Sequence, residues 1–528
     1  MSHTTVAQLT LLLLGVGAAL SPCAVHAADA MHALDVRTVQ VGGEIGRRID
    51  VTVDNNIMVL DVENDFLQPF RDRDRKSGYV GLGKLIDALV RFAAYTDAPE
   101  VKARKEAAVD GIIATQEDDG YIGMFVPERR LWSLWDIHEM AYIIYGLTMD
   151  HRFFGEAASL EAARKAADYI VERWNAQPEK TPGGEITEYM AVTGLECALL
   201  ALHQATGDKR YVDFCVGRRT LADWNGPIVL GRWGKIQGHA YAYFCRSLAQ
   251  LRLNRLQPSP KLFRPIHRAM QFMTDEDGMA IIGTCGQHEC WHDTQEGAAN
   301  LGETCATAYL MRVLDELLRI EGDPRYGDLM ERSIHNALFA AQSPDGRRIR
   351  YYSPFEGPRQ YFDGDTYCCP CNYRRIIAEL PGMIYYRHGE GCGRSPERAT
   401  PGTDARPEKC ITVNLYTPSS ATFEVAGTKL RIEQETDYPS DGAITLRLEP
   451  EQPVSLALRL RIPQWCKTGR VSVNDEALDG APAAGVYYVI SREWRPGDEV
   501  MLELPMELRM VEGRVAQAGR VAIMRGPV

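Results

Sequence analysis

Residues 310–326 read Leu-Met-Arg-Val-Leu-Asp-Glu-Leu-Leu-Arg-Ile-Glu-Gly-Asp-Pro-Arg-Tyr. The apolar residues recur at spacings of three and four, which predicts an amphipathic helix with one face in a core. Gly322 and Pro324 are typical of the end of that helix and the start of another. A similar turn, Thr-Gly-Asp-Lys-Arg-Tyr, occupies residues 206–211. The chain is therefore predicted to contain repeated helix–turn–helix units, and periodicity alone does not separate a solenoid from a closed toroid.

The composition of the 528 residues is that of a folded globular protein, with 45% hydrophobic and 25% charged residues. Asp and Glu outnumber Lys and Arg by 71 to 59, which gives a net charge of −12. Nucleic-acid binding depends on a basic surface, so this balance argues against nucleic acid as a partner. The 8 Trp and 23 Tyr are compatible with sugar-stacking surfaces, although core packing accounts for most of them.

The two ends of the chain differ from the helical middle. The apolar run Leu9–Leu20, followed by small residues, is typical of a secretory signal peptide, and it is short for a membrane span. We therefore expect export to the periplasm or the medium, without stable membrane insertion. Near the other end, short alternating runs separated by turns predict a β-sandwich, which we expect to be incomplete because the chain ends directly after a strand-like run. The predicted segments are a signal peptide (1–28), an N-terminal β segment (29–75), a helical domain (76–390), a linker (391–408) and the β-sandwich (409–528).

Two separate segments combine thiols with a carboxylate: Glu-Thr-Cys at 303–305 and Tyr-Cys-Cys-Pro-Cys-Asn at 367–372. Adjacent cysteines suit a disulfide poorly, because consecutive Cα atoms lie about 3.8 Å apart and disulfides need about 4.4–6.8 Å. Thiolate and carboxylate ligands are typical of tetrahedral Zn²⁺. Glu303 and Cys305 can face one ion only where the chain is extended before the helix begins. The spacing leaves open a purely structural zinc site or unpaired buried cysteines.

A third segment, Gly-Gln-His-Glu-Cys-Trp-His-Asp at 286–293, places ionisable groups beside an aromatic ring. A carboxylic acid in a partly apolar cleft has a raised pKa and suits general acid catalysis. The alternative interpretation is an ordinary polar loop, and the residues alone do not decide between the two.

These motifs together resemble the β-L-arabinofuranosidase family of glycoside hydrolases, family 127 and its close relatives. The resemblance runs from about residue 40 to the end of the chain. The pair of Glu-Thr-Cys and Cys-Cys-Pro in this order is specific, and two motifs of the predicted sandwich add to it. The matching segments are Gln116–Tyr121, Asp136–Glu139, Gly207–Tyr211, Glu303–Cys305, Cys368–Pro370, Arg461–Trp465 and Trp494–Asp498.

The resemblance implies a mainly α protein, with an (α/α)₆ helical toroid as catalytic domain followed by a β-sandwich. It also implies Zn²⁺ as cofactor, a carbohydrate as substrate, and a retaining reaction on β-L-arabinofuranosides or a related plant-cell-wall sugar. The family's metal ligands match Glu303, Cys305, Cys368 and Cys369. Its nucleophile matches Cys368, where a bound metal deprotonates the thiol.

The acid/base and the sugar contacts are also carried over by position. The family's acid/base lies about 16 residues before Glu-Thr-Cys, which makes Glu289 the candidate, with Glu296 and Asp293 as alternatives. Residues matching sugar contacts are His138, His239 and Tyr351. The chain departs from the family where Val192 and its neighbours replace a histidine, where Cys371 replaces a proline, and where Ser353 replaces an asparagine. The extra thiol of Cys371 is a competing metal ligand.

Two further interpretations remain open from the sequence. One is an inverting glycosidase that uses Asp136 or Glu139 with Glu289, whose carboxyl groups would then lie about 6.5–9.5 Å apart. The other is a non-catalytic carbohydrate-binding protein with a structural zinc, in which metal loss would unfold the chain.

Overall fold

The computed structural model describes residues 29–233, 235–294, 297, 300–388, 409–478 and 480–528. The predicted signal peptide, the predicted linker 391–408 and Glu296 lie outside these residues. The described chain forms a helical domain followed by a β-rich C-terminal domain. None of its helices combines the length and apolar character needed to cross a membrane.

Most of the chain before residue 380 is helical. The α-helices of the described residues are α1 (Gly43–Asn55), α2 (Gln68–Asp72), α3 (Leu82–Thr96), α4 (Pro99–Ile113), α5 (Asp136–Phe154), α6 (Ala157–Ala176), α7 (Glu188–Ala191), α8 (Leu195–Thr206), α9 (Arg210–Asp213), α10 (Ala240–Asn254), α11 (Arg264–Asp275), α12 (Thr304–Glu321), α13 (Pro324–Arg332) and α14 (Cys368–Glu379). The Gly-Asp turns of the repeated motif follow α8 and α12, as their spacing predicts.

Six of these helices pack side by side in a closed series. In order they are α3, α5, α8, α10, α12 and α14, and α14 packs back against α3. Shorter or more exposed helices, among them α4, α6 and α13, pack against individual members. Three of the six, α10, α12 and α14, carry a residue of the clusters described below at or beside their N-terminal ends, and α3 and α5 carry Lys84 and His138 in their first turns. Because a helix N-terminus carries a partial positive charge, this end of the bundle favours anionic groups.

The β-rich domain contains two large sheets and a hairpin. Its strands, with the first two from the N-terminal segment, are β1 (Met31–Ala33), β2 (Val39–Val41), β3 (Tyr385–His388), β4 (Cys410–Val413), β5 (Ser419–Val425), β6 (Thr428–Thr436), β7 (Ala443–Pro450), β8 (Val454–Ile462), β9 (Arg470–Val473), β10 (Glu476–Ala477), β11 (Val486–Trp494), β12 (Asp498–Glu503), β13 (Leu508–Glu512) and β14 (Val521–Arg525). The strand orders are β1-β3-β4-β8-β11, β10-β9-β12-β7-β6-β5-β2 and β13-β14.

The prediction of an N-terminal β segment over residues 29–75 is wrong for most of that range. Only β1 and β2 are strands there, and each joins a sheet of the C-terminal domain. Residues 43–55 form helix α1 instead. The alternation around Val51 suggested a strand, but Ile45, Ile49 and Val53 are four apart and are all buried on one face of the helix.

Arg461 connects the two domains. Its side chain lies on β8, is fully buried, and donates hydrogen bonds to Asp328 at 2.5 Å and Glu331 at 2.7 Å on α13. Tyr438 donates to the same carboxylate of Glu331 at 2.6 Å. Burial raises the pKa of Asp328 to about 6, although Arg461 opposes that rise. The Arg-Ile-Pro-Gln-Trp motif therefore supplies the cation that neutralises the buried Glu331 and the partly buried Asp328.

Replacing Arg461 with Met is expected to lower the free energy of unfolding by about 3–5 kcal/mol, because it strands two buried carboxylates. Urea unfolding followed by tryptophan fluorescence measures the change. The matched control is Arg470→Met, whose side chain is 80% exposed and pairs with Glu503 at 3.4 Å. The control should change the stability by less than about 1 kcal/mol, and an equal effect of the two substitutions would contradict the prediction.

Candidate active site

A buried cluster of three thiols and one carboxylate lies between the N-terminal ends of α12 and α14. One ligand atom from each of Glu303, Cys305, Cys368 and Cys369 lies within 4.8 Å of every other. Glu303 immediately precedes α12 with an extended backbone (φ −60°, ψ 132°), so it faces the same side as Cys305 in the first turn. The Cys305 and Cys369 sulfurs are 3.2 Å apart. The structure thus gathers all four predicted ligands.

The cluster has the properties of a cation site. Glu303 is 1% exposed, and its Oε2 atom has no hydrogen-bond partner among the described residues. Burial and the nearby charges of Glu289 and Cys368 raise the pKa of Glu303 well above its usual range. A buried unpaired carboxylate is costly, and a cation would remove that cost. The sulfur-rich donor set therefore fits a thiophilic divalent metal.

The remaining cysteines of the described residues do not join this cluster. Within the described residues every cysteine except Cys410 carries a free thiol. The sulfur of Cys371 lies 3.5 Å from a guanidinium nitrogen of Arg374 and 3.9 Å from the Val80 carbonyl oxygen. Cys371 is not among the residues whose ligand atoms lie within 4.8 Å of one another, so its predicted competition for the metal is not supported by the geometry.

Cys368 is the most acidic of the three clustered thiols. Burial alone would raise its pKa, but hydrogen bonds from Cys305 and Cys369 and the charge of Lys84 outweigh burial and hold the pKa well below its usual range. The pKa values of Cys305 and Cys369 are raised well above theirs by burial. The Tyr351 hydroxyl lies 3.4 Å from the Cys368 sulfur. Of the three thiols, Cys368 is therefore the one most readily deprotonated to the nucleophilic thiolate.

Glu289 occupies the tip of a two-residue hairpin next to this cluster. His288 and Glu289 both have positive φ (49° and 70°), and Gln287 and Cys290 exchange backbone hydrogen bonds of 2.8 and 3.0 Å around them. The Tyr351 hydroxyl donates to Glu289 Oε1 at 2.6 Å. Single atoms of His239, Glu289 and Glu303 also lie within 4.8 Å of one another. Asp293 is not part of either cluster, so the geometry favours Glu289 among the described candidates.

Comparisons with known proteins match both domains of this chain. The catalytic domain described as "Beta-L-arabinofuranosidase, GH127 catalytic domain" matches residues 68–382, and the GH127 middle domain matches residues 410–506. The chain belongs to glycoside hydrolase family 127. A non-reducing end β-L-arabinofuranosidase of Bifidobacterium longum subsp. longum is 25% identical over 515 residues, which cover 84% of this chain and 74% of the relative.

Solved structures of family 127 share the fold. The β-L-arabinofuranosidase from Geobacillus stearothermophilus T6 aligns with a TM-score of 0.76 at 24% identity, over 93% of this chain and 85% of the other. A second family 127 β-arabinofuranosidase aligns with a TM-score of 0.78 at 22% identity, over 96% and 86%. The resemblance predicted from the motifs is confirmed, and membership of this family makes the chain a glycoside hydrolase with a carbohydrate substrate.

In this family 127 chain, the two carboxylates of the inverting alternative accept hydrogen bonds from backbone amides and from one tyrosine hydroxyl. Glu139 accepts hydrogen bonds from the amides of Gly81 at 2.8 Å and Val80 at 3.2 Å, at the start of α3. Asp136 accepts from the Tyr121 hydroxyl at 3.0 Å and the Leu131 amide at 2.7 Å. Burial raises the pKa of Asp136 to about 7. Both carboxyl groups are therefore occupied by structural hydrogen bonds, and neither is free to act on a substrate in the cleft.

Two predicted histidines, His138 and His239, line the site as neutral imidazoles. Burial lowers the pKa of each, and for His138 the charge of Lys84 lowers it further. His239 precedes α10, and its Nδ1 accepts from the Ala242 amide at 3.1 Å, which leaves the hydrogen on Nε2. Lys84 Nζ lies 3.3 Å from His138 Nε2, and an ammonium can only donate, so His138 carries its hydrogen on Nδ1. That Nδ1 atom is buried and has no partner among the described residues.

Sequence reasoning missed several residues of this region. Lys84 is fully buried on α3 and lies 4.5 Å from the ring centroid of Tyr142. Its signal was a lysine in the first turn of a helix whose buried residues are mostly apolar. Tyr79 and Tyr367 stack with centroids 4.6 Å apart, and Tyr367 remains 38% exposed. Nothing in the spacing of these two tyrosines predicts their contact, because it joins segments far apart in sequence.

Lys84→Met is expected to lower kcat/KM about 10–100-fold, because His138 then loses the partner that sets its tautomer. A double-mutant cycle with His138→Ala checks the mechanism, since Lys84→Met should cost much less in that background. The matched control is Lys102→Met, whose cation pairs with the exposed Asp97. If the losses of activity caused by Lys84→Met and His138→Ala were fully additive, the role of Lys84 in positioning His138 would be contradicted.

Proposed function

We propose that this chain is a secreted, zinc-dependent, retaining β-L-arabinofuranosidase with Cys368 as nucleophile and Glu289 as acid/base. The observation that carries the proposal is the position of Tyr351, whose hydroxyl lies within hydrogen-bond distance of both side chains. Its distances to Glu289 Oε1 and Cys368 Sγ are 2.6 and 3.4 Å, so those two atoms lie no farther apart than the sum of these distances. Retaining glycosidases need about 5–5.5 Å between acid and nucleophile, and inverting ones need about 6.5–9.5 Å.

The architecture proposed with this function is an (α/α)₆ toroid over residues 76–390 and a β-sandwich over residues 409–528. The closed series of six helices, with further helices packed against it, supports the toroid. Residues 1–28 are proposed as a signal peptide that directs export to the periplasm or the medium. The Bifidobacterium relative supports the substrate, since it is a β-L-arabinofuranosidase that acts at the non-reducing end.

The metal would be held by Glu303, Cys305, Cys368 and Cys369, and Zn²⁺ suits these sulfur and oxygen ligands. When bound, it would keep the thiols deprotonated at neutral pH. Asn372 Nδ2 donates to the Cys305 sulfur at 3.1 Å and so orients one ligand from outside the set. The thiol of Cys368 remains the one nearest the Tyr351 hydroxyl.

In the first step the Cys368 sulfur attacks the anomeric carbon and forms a carbon–sulfur bond. The bond from that carbon to the glycosidic oxygen breaks, and the Glu289 carboxylic acid delivers its proton to the leaving oxygen. In the second step the Glu289 carboxylate takes a proton from water, and the water oxygen displaces the sulfur. Two inversions give net retention of the anomeric configuration. His138 Nδ1 and His239 Nε2 carry the imidazole hydrogens and are the proposed donors to hydroxyl groups of the bound sugar.

The proposal is tested with purified protein and a set of β-linked L-arabinofuranosyl disaccharides that differ in linkage position. Released L-arabinose should be measurable, and proton NMR of the first product should show the β anomer. Elemental analysis should give about one zinc per chain, and Glu303→Gln should lose it. An α-anomeric first product would replace the retaining mechanism with inversion. Sugar binding without turnover in zinc-loaded protein would favour the non-catalytic alternative.

A further inference from the structure

One tryptophan of the chain stands apart from the other seven. Trp233 is 70% exposed, whereas every other tryptophan is buried or half-buried. An indole ring left in water forgoes the large burial that normally stabilises it. Carbohydrate-binding surfaces use such rings, because the C–H face of a sugar packs against an aromatic plane. The position of Trp233 relative to Glu289 therefore decides whether the exposed ring can contact a bound sugar.

The segment that carries Trp233 is attached to the hairpin of Glu289. Leu230 pairs with Trp291 in a β-bridge, and the Gly231 amide donates to the Trp291 carbonyl at 2.9 Å. The indole N–H of Trp233 donates to the Leu230 carbonyl at 2.5 Å, which holds the ring in one orientation. The segment of the exposed ring is thus joined by backbone contacts to the acid/base hairpin.

Arg232, the neighbour of Trp233, contacts Glu289 directly. A guanidinium nitrogen of Arg232 lies 3.3 Å from Glu289 Oε2, and the Arg232 side chain remains 49% exposed. The other oxygen of Glu289 accepts from Tyr351 on the side of Cys368. One carboxylate oxygen therefore faces the nucleophile, and the other faces the segment of Arg232 and Trp233. A leaving group must lie on the acid's side of the scissile bond, opposite the nucleophile.

We propose that Arg232 and Trp233 form the subsite for the leaving-group sugar. The indole plane of Trp233 packs against the C–H face of that sugar, and the guanidinium of Arg232 donates to its hydroxyl groups. The ligand class is a furanose or pyranose residue of an oligosaccharide. This inference rests on the proposed function, in which Glu289 protonates the leaving oxygen.

The test compares two substrates with the same glycon: the β-linked L-arabinofuranosyl disaccharide that the enzyme cleaves fastest and methyl β-L-arabinofuranoside, whose aglycone is too small to reach an adjacent subsite. Trp233→Ala is expected to lower kcat/KM on the disaccharide about tenfold and on the methyl glycoside less than about twofold. Trp233→Phe should retain most of the activity on the disaccharide. Met510→Ala, which removes a side chain that is 74% exposed on β13, should change neither value.

A direct binding measurement supplies the second readout. In a Glu289→Gln background, which binds without turnover, the disaccharide should quench tryptophan fluorescence, and Trp233→Phe should abolish most of that quenching. Equal losses on both substrates, or undiminished quenching without Trp233, would overturn the subsite while leaving the proposed activity in place. Failure of the wild-type protein to cleave either substrate would overturn the proposed function, and the subsite with it.

Discussion

Cys368→Ala is expected to lower kcat/KM on the L-arabinofuranosyl disaccharide by at least about 10⁴-fold, because no other side chain can form the covalent intermediate. The Cys368 sulfur lies within reach of Tyr351 and has the lowest pKa of the clustered thiols. Intact mass spectrometry after incubation with a mechanism-based arabinofuranosyl inhibitor should show one adduct on the wild-type chain and none on the variant.

The matched control for this prediction is Cys371→Ala, which removes a buried thiol from the same helical turn. Because Cys371 contacts Arg374 and the Val80 carbonyl rather than the cluster, the control should retain activity within a few-fold. Circular dichroism should show that both variants keep their helical content. Full activity of Cys368→Ala, or an adduct that persists in it, would reject the thiolate mechanism.

Glu289→Ala is the second substitution for which we expect a large loss of activity. We expect kcat/KM on the disaccharide to fall about 10²–10⁴-fold, because the leaving oxygen then departs without a proton. A 4-nitrophenyl β-L-arabinofuranoside needs little protonation, so its first step should be affected much less. Added azide should restore turnover of this substrate and yield a β-configured glycosyl azide, since azide needs no general base.

The same experiment separates the three acidic candidates. Asp293→Ala and Glu296→Ala should leave both substrates within a few-fold of the wild-type rate and should gain nothing from azide. If azide restored turnover in either of them instead of in Glu289→Ala, the acid/base role would pass to that residue. Loss of activity in Glu289→Ala without any response to azide would indicate that Glu289 positions Tyr351 and Arg232 rather than transferring a proton.

The sequence predicted much of the site because its determinants are local. Glu303 and Cys305 are separated by one residue at a helix start, and Cys368 and Cys369 are adjacent, so the motifs themselves contain the ligand pairs. The helices with clear periodicity were also predictable, since spacing reports which face is buried. The prediction failed at residues 43–55, where β-branched residues alternate within a helical burial pattern.

The sequence by itself determined which thiols and carboxylates are available and which helix starts carry them. It also determined the family to which the chain belongs. Tertiary structure alone decided which of them meet. Lys84 reaches His138, Tyr351 reaches both Glu289 and Cys368, and Arg232 reaches Glu289 because the packing of helices and loops brings together segments that are separate in sequence. Contacts between residues far apart in sequence depend on the curvature and packing of the whole bundle, and burial periodicity along one helix carries no record of either.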